Sequence, residues 1–444
     1  MGSFDAEGAG LSRRGFLKGA AATGIGLSLV GGLGSLAACS SGGGGGKTIH
    51  VLAPAAPDPA PVGVAKFSDA AVQQFADWKK QNGISVAYDA IPWTQLHDKM
   101  ATTFASGQSS YDVIYMSGWV PEFASNLSPF GNDFPADLKS DMPPSCFKTT
   151  TWGGQTYGAV FTLSVMTLFY NKEMLSNKGI SQPPTTWDEL KGMVQELTGG
   201  GNYGWVLNYG DPAGIGGVAS YWMAFLQQAG GKMYDDSGMP AFNTPEGVDA
   251  LQMMLDLNTA GTDPGSISYV GINDATNVFM AGRAAMMMNW PYMWVPAQDP
   301  KTSKVSGKID CALLPAGPAG TASIDGTDAW TVTKKASNRD NAMKLIEFYL
   351  DKDQQKSQAI DTGWLPIRLS VLNDPDVQSS LPNAKVVMDQ ATHPYDSYVT
   401  PDYNEVTQAM GVEIQKALKG QQTAAQTIKN SADQVTSIVK KRTS

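Results

Sequence analysis

The sequence predicts an α/β protein, with a parallel sheet covered by helices on both faces and enough chain for two domains. Three observations carry this. Strand-like and helix-like periodicities alternate through the first part of the body; the roughly 400 residues beyond the amino-terminal leader suffice for two domains; and an apolar content of 42% can fill two cores.

The leader comes first. Ser12-Arg13-Arg14-Gly15-Phe16-Leu17-Lys18 sets a twin-arginine pair ahead of the uncharged, Gly/Ala/Leu-rich stretch from Gly19 to Ala38, the pattern of a bacterial export signal over residues 1–38. A retained membrane helix is the alternative, but the many small residues make the stretch weakly apolar. Leu36-Ala37-Ala38-Cys39 resembles a lipoprotein processing box, in which cleavage leaves Cys39 as the acylated first residue. Residues 39–46 end in the run Gly42 to Gly46, a flexible tether that packs no core. Gly46-Lys47-Thr48 nearly completes a phosphate-binding loop. However, Ser41 stands where its first glycine belongs, and no strand precedes it to fix the backbone amides.

The body then alternates. Thr48 to Ala53 is a strand candidate. Phe67 to Lys80 carries Phe67, Ala71, Phe75 and Trp78 at helical spacing, and Ile84 to Ile91 is a second strand. Thr94 to Ser106 reads as a helix and Tyr111 to Met116 as a buried strand. Such alternation implies parallel strands, and ligands of such sheets bind beyond the strands' carboxyl ends. Those ends are the loops Pro54 to Pro61, Pro92-Trp93 and Ser117-Gly118-Trp119.

Composition narrows the function. The chain has 32 Lys and Arg against 41 Asp and Glu, a formal net charge of −9. So acidic a surface repels nucleic acid and anionic lipid. The three histidines, His50, His97 and His393, have no metal-ligand spacing, and no nucleophile elbow or zinc-protease motif occurs. Neither a metal nor a cofactor is expected. Cys146 and Cys311 are left after Cys39, and either a disulfide or two buried thiols fits an exported protein.

A resemblance covers nearly the whole body. Tyr111-Asp112-Val113-Ile114, Trp152 to Gly158 (WGGQTYG), Tyr170 to Leu175 (YNKEML) and Pro183 to Leu190 (PPTTWDEL) follow one another. Phe279 to Met286 (FMAGRAAM), Gly363-Trp364-Leu365-Pro366 and a closing helix over Glu413 to Gly420 come after them. In order and spacing these segments resemble the family 1 extracellular solute-binding proteins, the sugar-binding subunits of ATP-binding-cassette importers. The resemblance implies a two-lobe periplasmic-binding-protein-like fold with a multi-strand hinge. Lobe 1 would hold residues 47–159 and 311–361, and lobe 2 residues 160–310 and 362–444, with crossings near Tyr157 to Phe161, Ile309 to Leu314 and Thr362. It further implies a non-enzymatic, monomeric protein outside the cytoplasm, held to the membrane by lipid on Cys39, that binds a sugar or polyol and hands it to permease subunits. A secreted glycoside hydrolase, which needs two facing carboxylates, and a tethered ligand sensor of the same fold are the alternatives.

A sugar presents hydroxyls and a weakly polarised C–H face, so its site needs hydrogen-bonding side chains and flat aromatic platforms. Among the 11 tryptophans, Trp119 follows a strand end. Trp290 and Tyr292 follow the strand-like Ala285 to Met288, Trp222 starts a helix after a Gly-rich loop, and Trp364 lies in a motif of the resemblance. Trp78 and Trp187 are assigned to packing, on a helix stripe and in a Pro-Thr-Trp turn. Asp58, Asp211, Asp325 and Arg368, all in loops, are the polar candidates. Past the leader only Arg283, Arg339, Arg368 and Arg442 occur. Because sites for phosphate or carboxylate gather several guanidinium groups, a neutral ligand is expected.

Overall fold

A computed structural model describes residues 48–443 apart from 57–64, 67–68, 108–109, 132, 213, 215–216 and 397–399. The export signal, the Cys39 acylation site, the glycine tether and Asp58 lie outside the described residues.

The body opens as the periodicity predicts, with β1 (Thr48–Ala53), α1 (Asp69–Asn82), β2 (Ser85–Ala90), α2 (Trp93–Ala105) and β3 (Val113–Met116). There follow β4 (Gly158–Val160), β5 (Thr167–Asn171), α3 (Trp187–Leu197), β6 (Tyr203–Trp205), α4 (Val218–Ala229), α5 (Pro245–Gly261), α6 (Ile272–Met280), β7 (Ala284–Asn289) and β8 (Ile309–Ala312). The last of the longer elements are β9 (Ala329–Val332), α7 (Arg339–Tyr349), α8 (Lys352–Thr362), α9 (Tyr403–Leu418) and α10 (Ala424–Thr443).

Two sheets organise the two lobes. The first has the order β2-β1-β3-β9-β4, with β2, β1 and β3 parallel. Strand β9 runs antiparallel to both its neighbours, so the sheet is mixed where an all-parallel one was expected. The chain enters β9 on its return from the other sheet, and no βαβ crossover fixes its direction. The second sheet has the order β6-β7-β5-β8, with only β6 and β7 parallel.

One buried core includes Leu52, Phe75, Ile114 and Ile346 together with Phe169 and Met287 from the second sheet, while alternate residues of the same strands, Leu168, Met286 and Met288, join Trp205, Trp222, Met410 and Ile428 in the other. Side chains of this size contribute about 1.5–3 kcal/mol each when withdrawn from water. Trp78 packs at the rim of the first core, 6.1 Å from Phe75 and 5.3 Å from Phe348 between ring centres. Trp187 opens α3, where the Thr186 hydroxyl accepts from Glu189 N at 3.3 Å and the Glu189 carboxylate accepts from Thr185 N at 2.7 Å. These two bonds cap the amino terminus and set the start of the helix at Trp187.

The crossings lie side by side. Phe161 N donates to Asp328 O at 3.1 Å, Leu163 N to Leu365 O at 3.0 Å and Gly326 N to Ser164 O at 2.8 Å, which ties segments 161–165, 325–328 and 364–366 into one hinge. The expected second crossing at Ile309 to Leu314 lies elsewhere. Residues Ile309–Ala312 form β8, all four paired with β5, and the lobe boundary expected at residue 311 falls inside that strand. Cys146 and Cys311 are both free and buried, and burial pushes each thiol up to about 12. Among the described residues no helix is long and apolar enough to cross a membrane.

Candidate ligand-binding cleft

A cavity of about 470 Å³ opens between the sheets, within the size range of small-molecule sites. Three strand ends of the first sheet supply one wall: Pro54 after β1, Pro92, Trp93 and Thr94 after β2, and Ser117 after β3. These are the loops that the carboxyl-end argument selects. The opposite wall is Trp290 to Tyr292 at the end of β7 and Val270, Gly271, Asn273 and Asp274 at the start of α6. The hinge closes the back with Thr162 to Ser164, Gly326, Asp328, Trp364 and Leu365.

Each wall carries an aromatic platform. The half-buried Trp93 stacks on Trp119 at 5.2 Å and 29°, and meets Tyr115 edge-on at 5.8 Å. Trp119 is 3% exposed, so it supports the platform and is not its surface. Trp119 also meets His97 at 5.5 Å, whose Nε2 is 3.0 Å from the Glu122 carboxylate. Trp290 lies against the hinge at Gly326, where a Cβ would come within 2.5 Å of its ring. Only glycine lets the indole approach the hinge backbone so closely. Trp290 N donates to Asn289 Oδ1 at 2.7 Å, which fixes the turn that carries the ring off β7.

Among the described residues, the charged members of the lining are Asp274 and Asp328, and no Lys, Arg or His belongs to it. Asp274 is exposed and uses Oδ2 to accept from Val270 N at 3.0 Å. Asp328 Oδ1 is buried without a hydrogen-bond partner. Burial pushes this carboxyl up to about 7; the Tyr115 and Ser117 hydroxyls beside it offset part of the rise, and the nearby Asp325 adds to it.

The residues named from sequence divide clearly. Trp290, Tyr292 and Trp364 come together on the cavity lining. Trp222 does not: it is buried in the second core, packs on Phe242 at 5.2 Å, and donates from Nε1 to Gly247 O at 3.2 Å. Arg368 is also turned away, its Nε bonded to Asp141 at 2.8 Å and its Nη1 to Leu350 O at 3.1 Å. Asp325 is buried in the hinge, off the lining, with Oδ1 accepting from Thr327 N at 2.8 Å. Asp211 is half-buried ahead of α4, its carbonyl accepting from Val218 N at 2.8 Å, and it too lies off the lining. Trp93, Tyr115, Asp274 and Asp328 were not singled out. Trp93 lies in a loop at a strand's carboxyl end and so is legible from periodicity, whereas Asp328 depends on the hinge register, which leaves no periodic signal.

Two lobes joined by a paired hinge around an aromatic and acidic cleft define a binding protein for small solutes. Residues 64–356 match the bacterial extracellular solute-binding protein family, and the chain belongs to that family. A protein of Deinococcus radiodurans described as a probable ABC transporter-binding protein is 27% identical over 77% of this chain and 83% of its own length. Among solved structures, the maltose-bound MalE3 of T. maritima is 27% identical with a TM-score of 0.78, covering 88% of this chain and 99% of that one. A solute-binding protein of Thermotoga lettingae bound with α-D-tagatose is 25% identical with a TM-score of 0.75, covering 88% and 100%.

Proposed function

We propose that this protein captures a neutral sugar, oligosaccharide or polyol in the cleft and delivers it to the permease subunits of an ATP-binding-cassette importer. The carrying observation is the lining itself, which among the described residues combines the rings of Trp93, Trp290, Tyr292 and Trp364 with two acids and no basic side chain. Indole and phenol faces cover the C–H face of a sugar, and carboxylates accept from its hydroxyls. A phosphate or carboxylate group would meet only like charge. The sugars named for the T. maritima and T. lettingae proteins support the same class.

The test is thermal stability with maltose, D-tagatose, D-mannitol, glucose 6-phosphate and gluconate. A neutral sugar or polyol at a hundred times its dissociation constant adds about 2.7 kcal/mol, and the two anions add nothing. Stabilisation by the anions alone, or turnover of any of the sugars, overturns the reading.

Export through the twin-arginine signal and anchoring through lipid on Cys39 complete the proposal, supported by residues 12–39 of the sequence. The amino-terminal peptide of protein from native membranes should have the mass of an acylated Cys39, and Cys39→Ala should move to the soluble fraction. An unmodified peptide removes the anchor and leaves the binding proposal standing.

A further inference from the structure

Asp328 stands where two hinge segments meet, its carbonyl tied to Phe161 N and its side chain part of the cavity lining. Its Oδ1 is buried and has no hydrogen-bond partner, a costly state for an acceptor in a folded protein. The titratable groups facing it are Tyr115 from β3 and Asp325 on its own segment, with Asp274 elsewhere on the same lining. Lys148 acts on Asp325 and is not part of the lining. The Tyr115 and Ser117 hydroxyls are the groups of the wall that offset this charge, and no basic side chain of the described lining does so. The half-buried residue meets the cavity, from which a ligand hydroxyl can approach the carboxyl group.

We infer that Asp328 is the specificity-determining acceptor of the cleft: a hydroxyl of the bound ligand donates to its carboxylate, and binding requires the ionised form. This rests on the sugar reading. Because burial pushes the carboxyl up to about 7, protons compete with the ligand near neutrality. The hydroxyl favours the carboxylate, so capture releases a proton below that pH. The fraction ionised falls about tenfold between pH 8 and pH 6, and affinity falls with it.

The experiment uses whichever of maltose, D-tagatose and D-mannitol stabilises the protein most. Calorimetric titrations at pH 6, 7 and 8 compare the wild type with Asp328→Asn. The wild type should lose about tenfold in affinity from pH 8 to pH 6. Asp328→Asn should bind roughly tenfold or more weakly at pH 8, since the lost bond is charge-assisted, and should show no pH dependence. Without sugar the variant should melt no lower than the wild type, because a neutral side chain replaces a buried acid. A flat wild-type profile, or Asp328→Asn within about twofold of wild type at pH 8, overturns the assignment while the sugar reading stands. A wild type that binds none of the three sugars overturns both.

Discussion

The two walls of the cleft are built on different supports. On the first-lobe side Trp93 rests on Trp119, Trp119 on His97, and His97 on Glu122. Every member of that stack belongs to α2 or to the turn after β3, so the platform is complete within one lobe. On the second-lobe side Trp290 projects from the end of β7 against Gly326 of the hinge. The first platform is therefore fixed whatever the angle between the lobes, and the second is registered to the segment about which they turn. Aromatic walls that look equivalent from inside the cavity should fail in different ways when cut.

Cutting them gives the largest expected effects. Trp119→Ala removes a ring that is 3% exposed beneath the platform, and the void should cost about 3–5 kcal/mol of stability. Trp93→Ala removes the exposed face of the same stack, and the loss should fall on binding: about 2 kcal/mol, or roughly thirtyfold in affinity, with a small change in melting temperature. Trp290→Ala, at a ring 5% exposed, should lower both. Scanning calorimetry and titration with the best sugar separate the three. If Trp119→Ala bound weakly while melting like wild type, Trp119 would be a ligand contact and not a support, and the contrast between the walls would collapse.

The first wall could be read from the chain further than the second. Alternating elements from Thr48 to Met116 marked the strand ends, and from them the loops holding Pro54, Trp93 and Ser117. That inference needs only local periodicity and a rule about parallel sheets. Trp290 and Tyr292 were reached through the strand-like Ala285 to Met288 before them. Trp222 misled because every residue of α4 from Val218 to Ala229 is buried; such a helix has no polar face to show which side meets solvent. Arg368 misled because its partner, Asp141, lies 227 residues away, a pairing that no local pattern announces. Asp325 and Asp328 sit three residues apart on one extended segment, which turns them to different sides. Which of the two meets the cavity depends on pairing with residues 161–165, and that register is a tertiary fact.

The smallest effect probes the base of the first stack. Burial alone would hold the His97 imidazole below its ordinary value, but the hydrogen bond and charge of Glu122, with help from Asp98, raise it overall. A histidine whose folded value lies above its unfolded one contributes stability that is fully present below about pH 6.5 and is lost as pH rises through the folded value. The His97 and Glu122 side chains are 16% and 24% exposed, so partial solvent screening keeps the contribution to about 0.5–1 kcal/mol. Comparing melting temperatures of the wild type and His97→Gln at pH 5.5 and pH 8.5 isolates it, because the response of Asp328 is common to both proteins and cancels in the difference. The wild type should be the more stable of the two at pH 5.5, and the gap should narrow at pH 8.5. A gap of equal size at both values would mean that His97 supports Trp119 by packing alone, and that the first platform, unlike Asp328, keeps its shape independently of pH.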